Sequence, residues 1–297
     1  MTLFFQQVIN GLAVGSGYAI FAMAFGLVIA NLNILSIAHG AFATWGALVG
    51  LWAVTTLGVP LWLGVLLSML VIGVLGVLVD QLGFQPLRER GTAGFFGVLL
   101  SSVGFWMILV SMALIATDAR QQAFPLDTFP RVFFRFGDFT VPLMQVVTAA
   151  TALVILVVLY HFVHRTRTGT AIRAVGFNPM SAALSGVNSR MMIIGTSFVA
   201  GAICGLSGAL VAASTNNVSF LLGEGLFLKG FAAVVIGGFG DVRGAYLGGL
   251  VIGLSEVLGG QYVSNSFRDA VAFGLLFIFL LYRPRGILGT SELALKL

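Results

Sequence analysis

The sequence predicts an all-α integral membrane protein, a polytopic helical bundle with about eight or nine spans and broken, glycine-rich helices. Three observations carry this. Apolar residues fill 59% of 297 positions and charged residues only 8%, against roughly 25% charge in an ordinary soluble domain. A soluble fold of this length has nowhere to hide that much apolar surface, whereas a bilayer is itself an apolar solvent. Apolar runs of bilayer-crossing length recur along the whole chain. The 39 glycines exceed what a simple oily bundle needs, and suit helices that pack backbone to backbone or break beside a cavity.

Taken in order, the runs are 8–30, 41–58, 61–82, 92–117, 141–163, 191–214 and 268–282. A further tract, 226–260, is interrupted by Gly237-Gly-Phe-Gly-Asp-Val-Arg-Gly244, so its halves are either two compressed helices or a hairpin dipping into the membrane. The opening segment lacks the basic region and small-residue cleavage site of a secretory signal, so the first run is expected to be a permanent span. Residues 1–297 are expected to form one transmembrane domain.

Arginine placement predicts orientation. Residues 164–190 carry Arg165, Arg167, Arg173 and Arg190 with no acid, 83–91 carry Arg88 and Arg90, and the tail carries Arg283, Arg285 and Lys296. These stretches are expected in the cytoplasm. The loop 118–140 balances Arg120, Arg131 and Arg135 against Asp118, Asp127 and Asp138, which fits the opposite side. Counting spans places the N-terminus outside. The net charge of +5 lies in short loops between apolar runs, where it sets topology and does not point to nucleic acid.

Chemistry-bearing patterns are few. The lone Cys204 excludes a disulfide within the chain and argues against a thiolate metal cluster. His39, His161 and His164 lack a metal-ligand spacing, and no paired-carboxylate or Ser/His/Asp constellation is visible. There is no Walker phosphate loop, so any ATPase driving the chain is a separate polypeptide.

Within 164–190, Asn178 is a good N-cap and Pro179 suits the first helical position. Met180, Ala182, Ala183 and Leu184 continue a helix of about two turns, and Gly186 can end it. A helix this short must lean on something. It is either a connector lying on its own protein or a lever docked into a partner.

Several stretches resemble the LivH/LivM-type permeases of branched-chain amino acid ABC importers, most closely the LivH-like member. Gly11-Leu-Ala-Val-Gly-Ser-Gly-Tyr-Ala19 looks like the family's opening helix. Asn33-Ile-Leu-Ser-Ile-Ala-His-Gly-Ala-Phe42 is similar to its N-x-A-H-G signature, with Ser36 where Asn is common. Gln85-Pro-Leu-Arg88, Thr168-Gly-Thr-Ala-Ile-Arg-Ala174 and Gly186-Val-Asn188 resemble its cytoplasmic loops. The most specific match is Lys229-Gly-Phe-Ala-Ala-Val-Val-Ile-Gly-Gly-Phe-Gly240, followed by Gly244, Gly248 and Gly249. Arg283-Pro-Arg-Gly-Ile-Leu-Gly289 is similar to the usual ending. The chain departs at Gln81 and Gln85, near which the family commonly has basic residues.

The resemblance implies a permease subunit in a bacterial cytoplasmic membrane, without a cofactor of its own. It further implies a second permease (a copy or a relative), two cytoplasmic ATPases that bind the ATP, and an external substrate-binding protein. The helix at 179–185 is then the element expected to dock into the ATPase. Family members for urea or short amides, and an ion-coupled secondary transporter with Glu256 and Asp80 as its carboxylates, stand as alternatives.

Candidate pathway residues are Asn33, Ser36, His39, Gly238, Gly240 and Glu256. An ionisable residue inside a span costs about 2.5–3.5 kcal/mol on insertion scales unless paired or wet. Glu256 is either a pathway wall or a helix-end residue reaching the outer interface. Lys229 is expected to snorkel or to pair, with Glu224 as its nearest acid. His39 fits either a hydrogen-bonded break or a transport role. The stretches Ser36–Gly46 and Gly237–Gly248 share a layout of polar, glycine-containing break followed by a small-residue helix, the kind of repeat that flanks a transport pathway.

Overall fold

The computed structural model describes residues 2–32, 34–90, 94–125, 128, 133–136, 139–283 and 285–289. At its centre stands α1 (Thr2–Leu32), 31 residues without a charged side chain. Around it pack α9 (Ser189–Thr215), α10 (Leu222–Gly237) and α11 (Val242–Tyr262), with α6 (Leu143–Arg165) on one side. A second layer holds α2 (Ala38–Thr56) and α3 (Leu61–Val79) against α9, with α5 (Gly94–Ala116) outside α2, and α12 (Arg268–Tyr282) against α11. The expected tract 226–260 is therefore two separate helices, divided at residues 238–241. α3 runs on through a π-helical turn, Asp80–Phe84, into α4 (Gln85–Arg90).

Among the described residues, six helical stretches are long and apolar enough to cross a membrane: Thr2–Leu32, Leu61–Arg88, Phe96–Ala116, Leu143–Arg165, Ser189–Thr215 and Val242–Tyr262. α2 is marginal in composition, and α10 and α12, at 16 and 15 residues, are short. The chain is not purely helical. Phe133–Phe136 (β1) and Phe139–Pro142 (β2) form an antiparallel hairpin, Phe133 opposite Pro142, within the loop between α5 and α6. Alternating charge over 118–140 hid this strand signal.

Long-range contacts sort the loops onto two ends. At one end, Gln7 Nε2 donates to Gln261 Oε1 at 3.2 Å, Gln6 reaches the β2 carbonyl of Thr140 at 2.9 Å, and Gln122 pairs with Val218. At the other, Gly176 abuts the Asn31 backbone, Arg190 donates to Gln81 at 3.3 Å, and the Ile287 and Leu288 amides donate to the carbonyls of Ile236 and Gly237 at 2.8 and 2.9 Å. The described parts of the arginine-rich loops thus gather at the Asn31 end, and those of 118–140 lie at the Gln7 end.

Contact between helices is contact between backbones. A Cβ on Gly208 of α9 would run into the carbonyl of Ala43 on α2, and one on Gly253 of α11 would strike Gly15 of α1. Such approach brings many dispersion contacts into range where lipid leaves no hydrophobic drive between helices. Hydroxyls lock it: Ser68 Oγ donates to the carbonyls of Gly46 (2.7 Å) and Gly205 (3.2 Å), joining α2, α3 and α9. Ser207 Oγ ties α9 to Gly17 of α1 at 3.1 Å.

Gly208→Ala should therefore destabilise the protein in detergent by about 1–3 kcal/mol, the usual cost of overpacking. Gly195→Ala on the same helix, where an added Cβ meets nothing within 4 Å, should leave the unfolding midpoint unchanged or raise it slightly. Equal midpoints for both variants in a denaturant titration would contradict this account of the α2–α9 seam.

Candidate functional site

The sequence-predicted pathway residues fall in three separate places. The first is the break between α1 and α2, where residues 34–37 leave the helix. Asn33 lies outside the described residues. Ser36 is fully buried; its carbonyl accepts from His39 Nδ1 at 3.2 Å, while its Oγ has no hydrogen-bond partner. Because that acceptor is a carbonyl, Nδ1 is the protonated ring nitrogen. The His39 ring stands edge-on to Phe25 at 5.8 Å and tilted to Phe42 at 5.0 Å. A narrow cavity beside it is walled by Ile34, Asp80 and Ser197. His39 therefore closes a polar break inside an aromatic nest. Asp80, next to it, is held by Arg88 Nη2 at 2.8 and 2.9 Å.

The second place is the α10–α11 break at the Asn31 end. Gly238 and Gly240 have φ of +96° and +100°, the left-handed region that favours glycine. A Cβ on Gly238 would collide with the backbone of Gly289, so residues 285–289 close over the break. Asp241 caps α11, accepting from the Arg243 amide at 2.8 Å and from its guanidinium at 2.8 Å. Desolvation pushes the Asp241 carboxyl up, but the hydrogen bonds and charge of Arg243 outweigh it and hold the pKa below the ordinary carboxylate value. The Arg243 guanidinium also lies over the Tyr160 ring at 5.0 Å, tying α6 to the break. The start of α2, just after the α1–α2 break, faces the start of α10: Gly223 N donates to Thr44 Oγ1 at 3.0 Å, and Gly40 abuts the Gly223 carbonyl.

The third place surrounds Glu256, and it is a charge network. Glu256 is 2% exposed, and its Oε1 lies 2.7 Å from Lys229 Nζ and 2.7 Å from Arg268 Nε. The Arg268 N–H is not directed at that oxygen, so this second contact is Coulombic, and Glu256 Oε2 has no hydrogen-bond partner. Lys229 also meets Tyr18 OH at 3.3 Å and Asp269 at 3.1 Å. Lys229 thus pairs with Glu256 and Asp269, not with Glu224. Sequence spacing missed Tyr18, Arg268 and Asp269, which stand 211, 12 and 40 residues from the network members they touch, Lys229, Glu256 and Lys229. Their one visible signal was an Arg-Asp pair at the head of the last apolar run.

With this geometry in view, residues 7–280 match the family described as branched-chain amino acid transport system / permease component. The chain belongs to that family. It is 30% identical to the high-affinity branched-chain amino acid transport system permease protein BraD of Pseudomonas aeruginosa, over 97% of both chains. It is 28% identical to LivH of Escherichia coli, over 97% of this chain and 96% of LivH. A probable branched-chain amino acid transport permease protein LivH of Methanocaldococcus jannaschii is 26% identical over 92% of this permease and 90% of the relative.

The permease presents one more element at its Asn31 end. α7 (Arg167–Phe177) leads into α8 (Pro179–Leu184). Asn178 Oδ1 caps α8 by accepting from the Met180 and Ser181 amides at 3.0 and 3.1 Å, and Gly186 leaves it with φ +81°. Ala182 is buried against the permease itself, so it cannot be part of an outward contact as the sequence suggested. Met180 and Leu184 are 71% and 81% exposed, Ala183 is exposed beside them, and Phe177 adds a ring at 72% exposure.

Two outcomes follow. Lys229→Met should cost about 3–5 kcal/mol, because it strips a hydrogen-bonded cation from a buried carboxylate; adding Glu256→Gln should recover most of the loss in a double-mutant cycle, and additive losses would show that the two groups are not coupled. The stability from Asp241, whose pKa is depressed on folding, should be complete above the unfolded value of about 3.9 and vanish as pH falls through the lower folded value. Asp241→Asn should remove that acid limb from the pH–stability profile, and an unaltered limb would assign it to another group.

Proposed function

We propose that residues 1–297 form a single permease domain of an ATP-driven importer for branched-chain amino acids. The observation that carries this reading is the near-full-length match to permeases of that name. The importer would comprise this chain, a second permease subunit (a copy or a relative), two ATPases on the cytoplasmic side and an external binding protein.

In a bacterial inner membrane the Asn31 end faces the cytoplasm, since the arginine-rich loops gather there. Counting α2, α10 and α12 as crossings gives nine spans with the N-terminus outside. The sorting of loops onto two ends supports this count, because each successive helix then reverses direction.

The exposed apolar face of α8, Met180, Ala183 and Leu184, is the proposed contact with the ATPase, with Phe177 at its edge. A capped, short helix moves as a rigid lever where a loop would absorb the motion. Ion coupling through Asp80 or Glu256 is disfavoured: Asp80 is held by Arg88 and Glu256 by Lys229, so neither of these two stands free to bind and release Na⁺ or H⁺.

The test is reconstitution of the complex in proteoliposomes with loaded binding protein. Leucine uptake should require ATP and should not be competed by urea or short amides. Ala183→Glu should leave the permease inserted but reduce substrate-stimulated ATP hydrolysis and uptake together by ten-fold or more, because a buried unpaired charge would break the docked face. Uptake driven by an ion gradient without ATP would refute the importer. Normal uptake by the Ala183→Glu complex would make α8 a mere connector.

A further inference from the structure

Two of the helices that carry the charge network are the shortest of the nine counted as crossings. α10 and α12 have 16 and 15 residues, hence lengths of about 24 and 22 Å, against a hydrocarbon core of about 30 Å. Their cytoplasmic ends are tied together: the amides of Ile287 and Leu288 bond to the end of α10, and Gly286 abuts Gly238. The missing length therefore falls on the outer side of both helices. There the chain descends from α9 into α10 through residues 216–221 and from α11 into α12 through 263–267.

Register against α1 sets the depth at which α10 begins. Gly230 abuts the Phe21 ring and Lys229 reaches Tyr18 OH, both near the middle of the 31-residue α1. Glu224 precedes Gly230 by six residues, about 9 Å toward the outside, which places it level with Gly15, still close to mid-depth. The Thr44–Gly223 bond agrees, since Thr44 is two turns inside α2.

At this depth Glu224 is exposed on the surface of the chain and its carboxylate has no partner among the described residues. A charged group in this position cannot face hydrocarbon. Leu221, just before α10, and Leu228 are exposed beside it, so the polar part of this surface is Glu224 together with the Lys229–Asp269 pair. An added Cβ on Gly225 meets nothing within 4 Å, Lys229 follows one turn on, and through Lys229 the surface continues to Asp269, 66% exposed. Buried behind it is Glu256, whose Oε2 lacks a hydrogen-bond partner. The flanks of α5 and α6 expose Leu100, Ile115, Val154 and Val157, and the cytoplasmic half of α12 exposes Phe277, Ile278 and Leu281, so the polar surface is confined to the outer parts of α10 and α12.

We infer that the α10–α12 face is the water-filled outer arm of the transport route, and that Glu224 receives the ammonium group of the zwitterionic solute there. This rests on the amino-acid importer reading for its ligand but not for its location. Glu224 suits the task because it is uncommitted, whereas Lys229 and Glu256 neutralise each other. The route does not run through Ser36 and His39, which are buried in the aromatic nest, nor through the closed Gly238 break.

The test uses the assembled complex in membranes, with Cys204→Ser as the thiol-free background. Glu224→Cys and, one turn further along the same face, Leu228→Cys are each treated from outside with a cationic, membrane-impermeant methanethiosulfonate. Leu100→Cys and Val157→Cys report the lipid faces. At least ten-fold faster modification at 224 or 228 than at 100 and 157 is expected; equal rates at all four positions overturn the wet face. In the native background, Glu224→Gln should raise the KM for leucine uptake about ten-fold with little change in kcat, and Glu224→Asp should restore it in part. An unchanged KM for Glu224→Gln overturns the ammonium contact. If the wild-type complex imports no branched-chain amino acid, the functional reading fails by itself, while the labelling rates still decide whether this face is wet.

Discussion

Two apolar helices in a bilayer gain nothing by hiding from lipid tails as apolar as themselves, so this bundle is held by how closely its backbones approach. That constraint explains where the glycines sit. α1 carries no charge, and α9 and α11 meet it or its neighbours where one partner lacks a side chain, as at Gly253 on Gly15 and Gly208 on Ala43. At such distances a serine hydroxyl reaches a carbonyl of the next helix, and Ser68 and Ser207 do so. The central helices thus form a rigid frame against which the breaks and short helices are positioned.

The second constraint is charge. Asp80 and Glu256 lie within the frame, and each has a cation within hydrogen-bond reach. Neutralisation across helices keeps these groups in the membrane and pins α10, α11 and α12 in register, because Lys229, Glu256, Arg268 and Asp269 come from all three. Once those four charges are matched among themselves, Glu224 stands out as an acid at membrane depth without a protein partner. The same pairing that stabilises one part of α10 therefore marks another part as the wet surface.

The two ends of the molecule divide the work. At the Asn31 end, the returning chain bonds to the end of α10, Arg243 clamps Asp241 and Tyr160, and α8 stands on α7 with its apolar side outward. α7, which carries α8, abuts α1 where Gly176 meets the Asn31 backbone. At the Gln7 end, helices stop short and the loop with the β-hairpin lies over residues 216–218. A stiff end and an open end suit a machine that takes force on one side and solute on the other.

Much of this was legible in the residues. Hydrophobic run length located every long helix to within a few residues at most ends, since the thickness of hydrocarbon is a physical ruler that sequence must match. The capping pattern Asn178-Pro179 with Gly186 predicted α8, because a cap is a local interaction between neighbours. Its buried side was not legible: Ala182 faces inward only because α8 lies against the permease. The hairpin was hidden by charges, and the resemblance between the stretches beginning at Ser36 and Gly237 turned out to place them in different surroundings. The partners of Glu256 were beyond sequence reasoning, since Tyr18 and Lys229 are 211 residues apart and meet only when α10 packs beside α1. Sequence by itself determined membrane residence and helix positions, which depend on composition and short-range chemistry. Tertiary structure alone decided which charges cancel and which one remains, because that depends on distances between helices that no local pattern encodes.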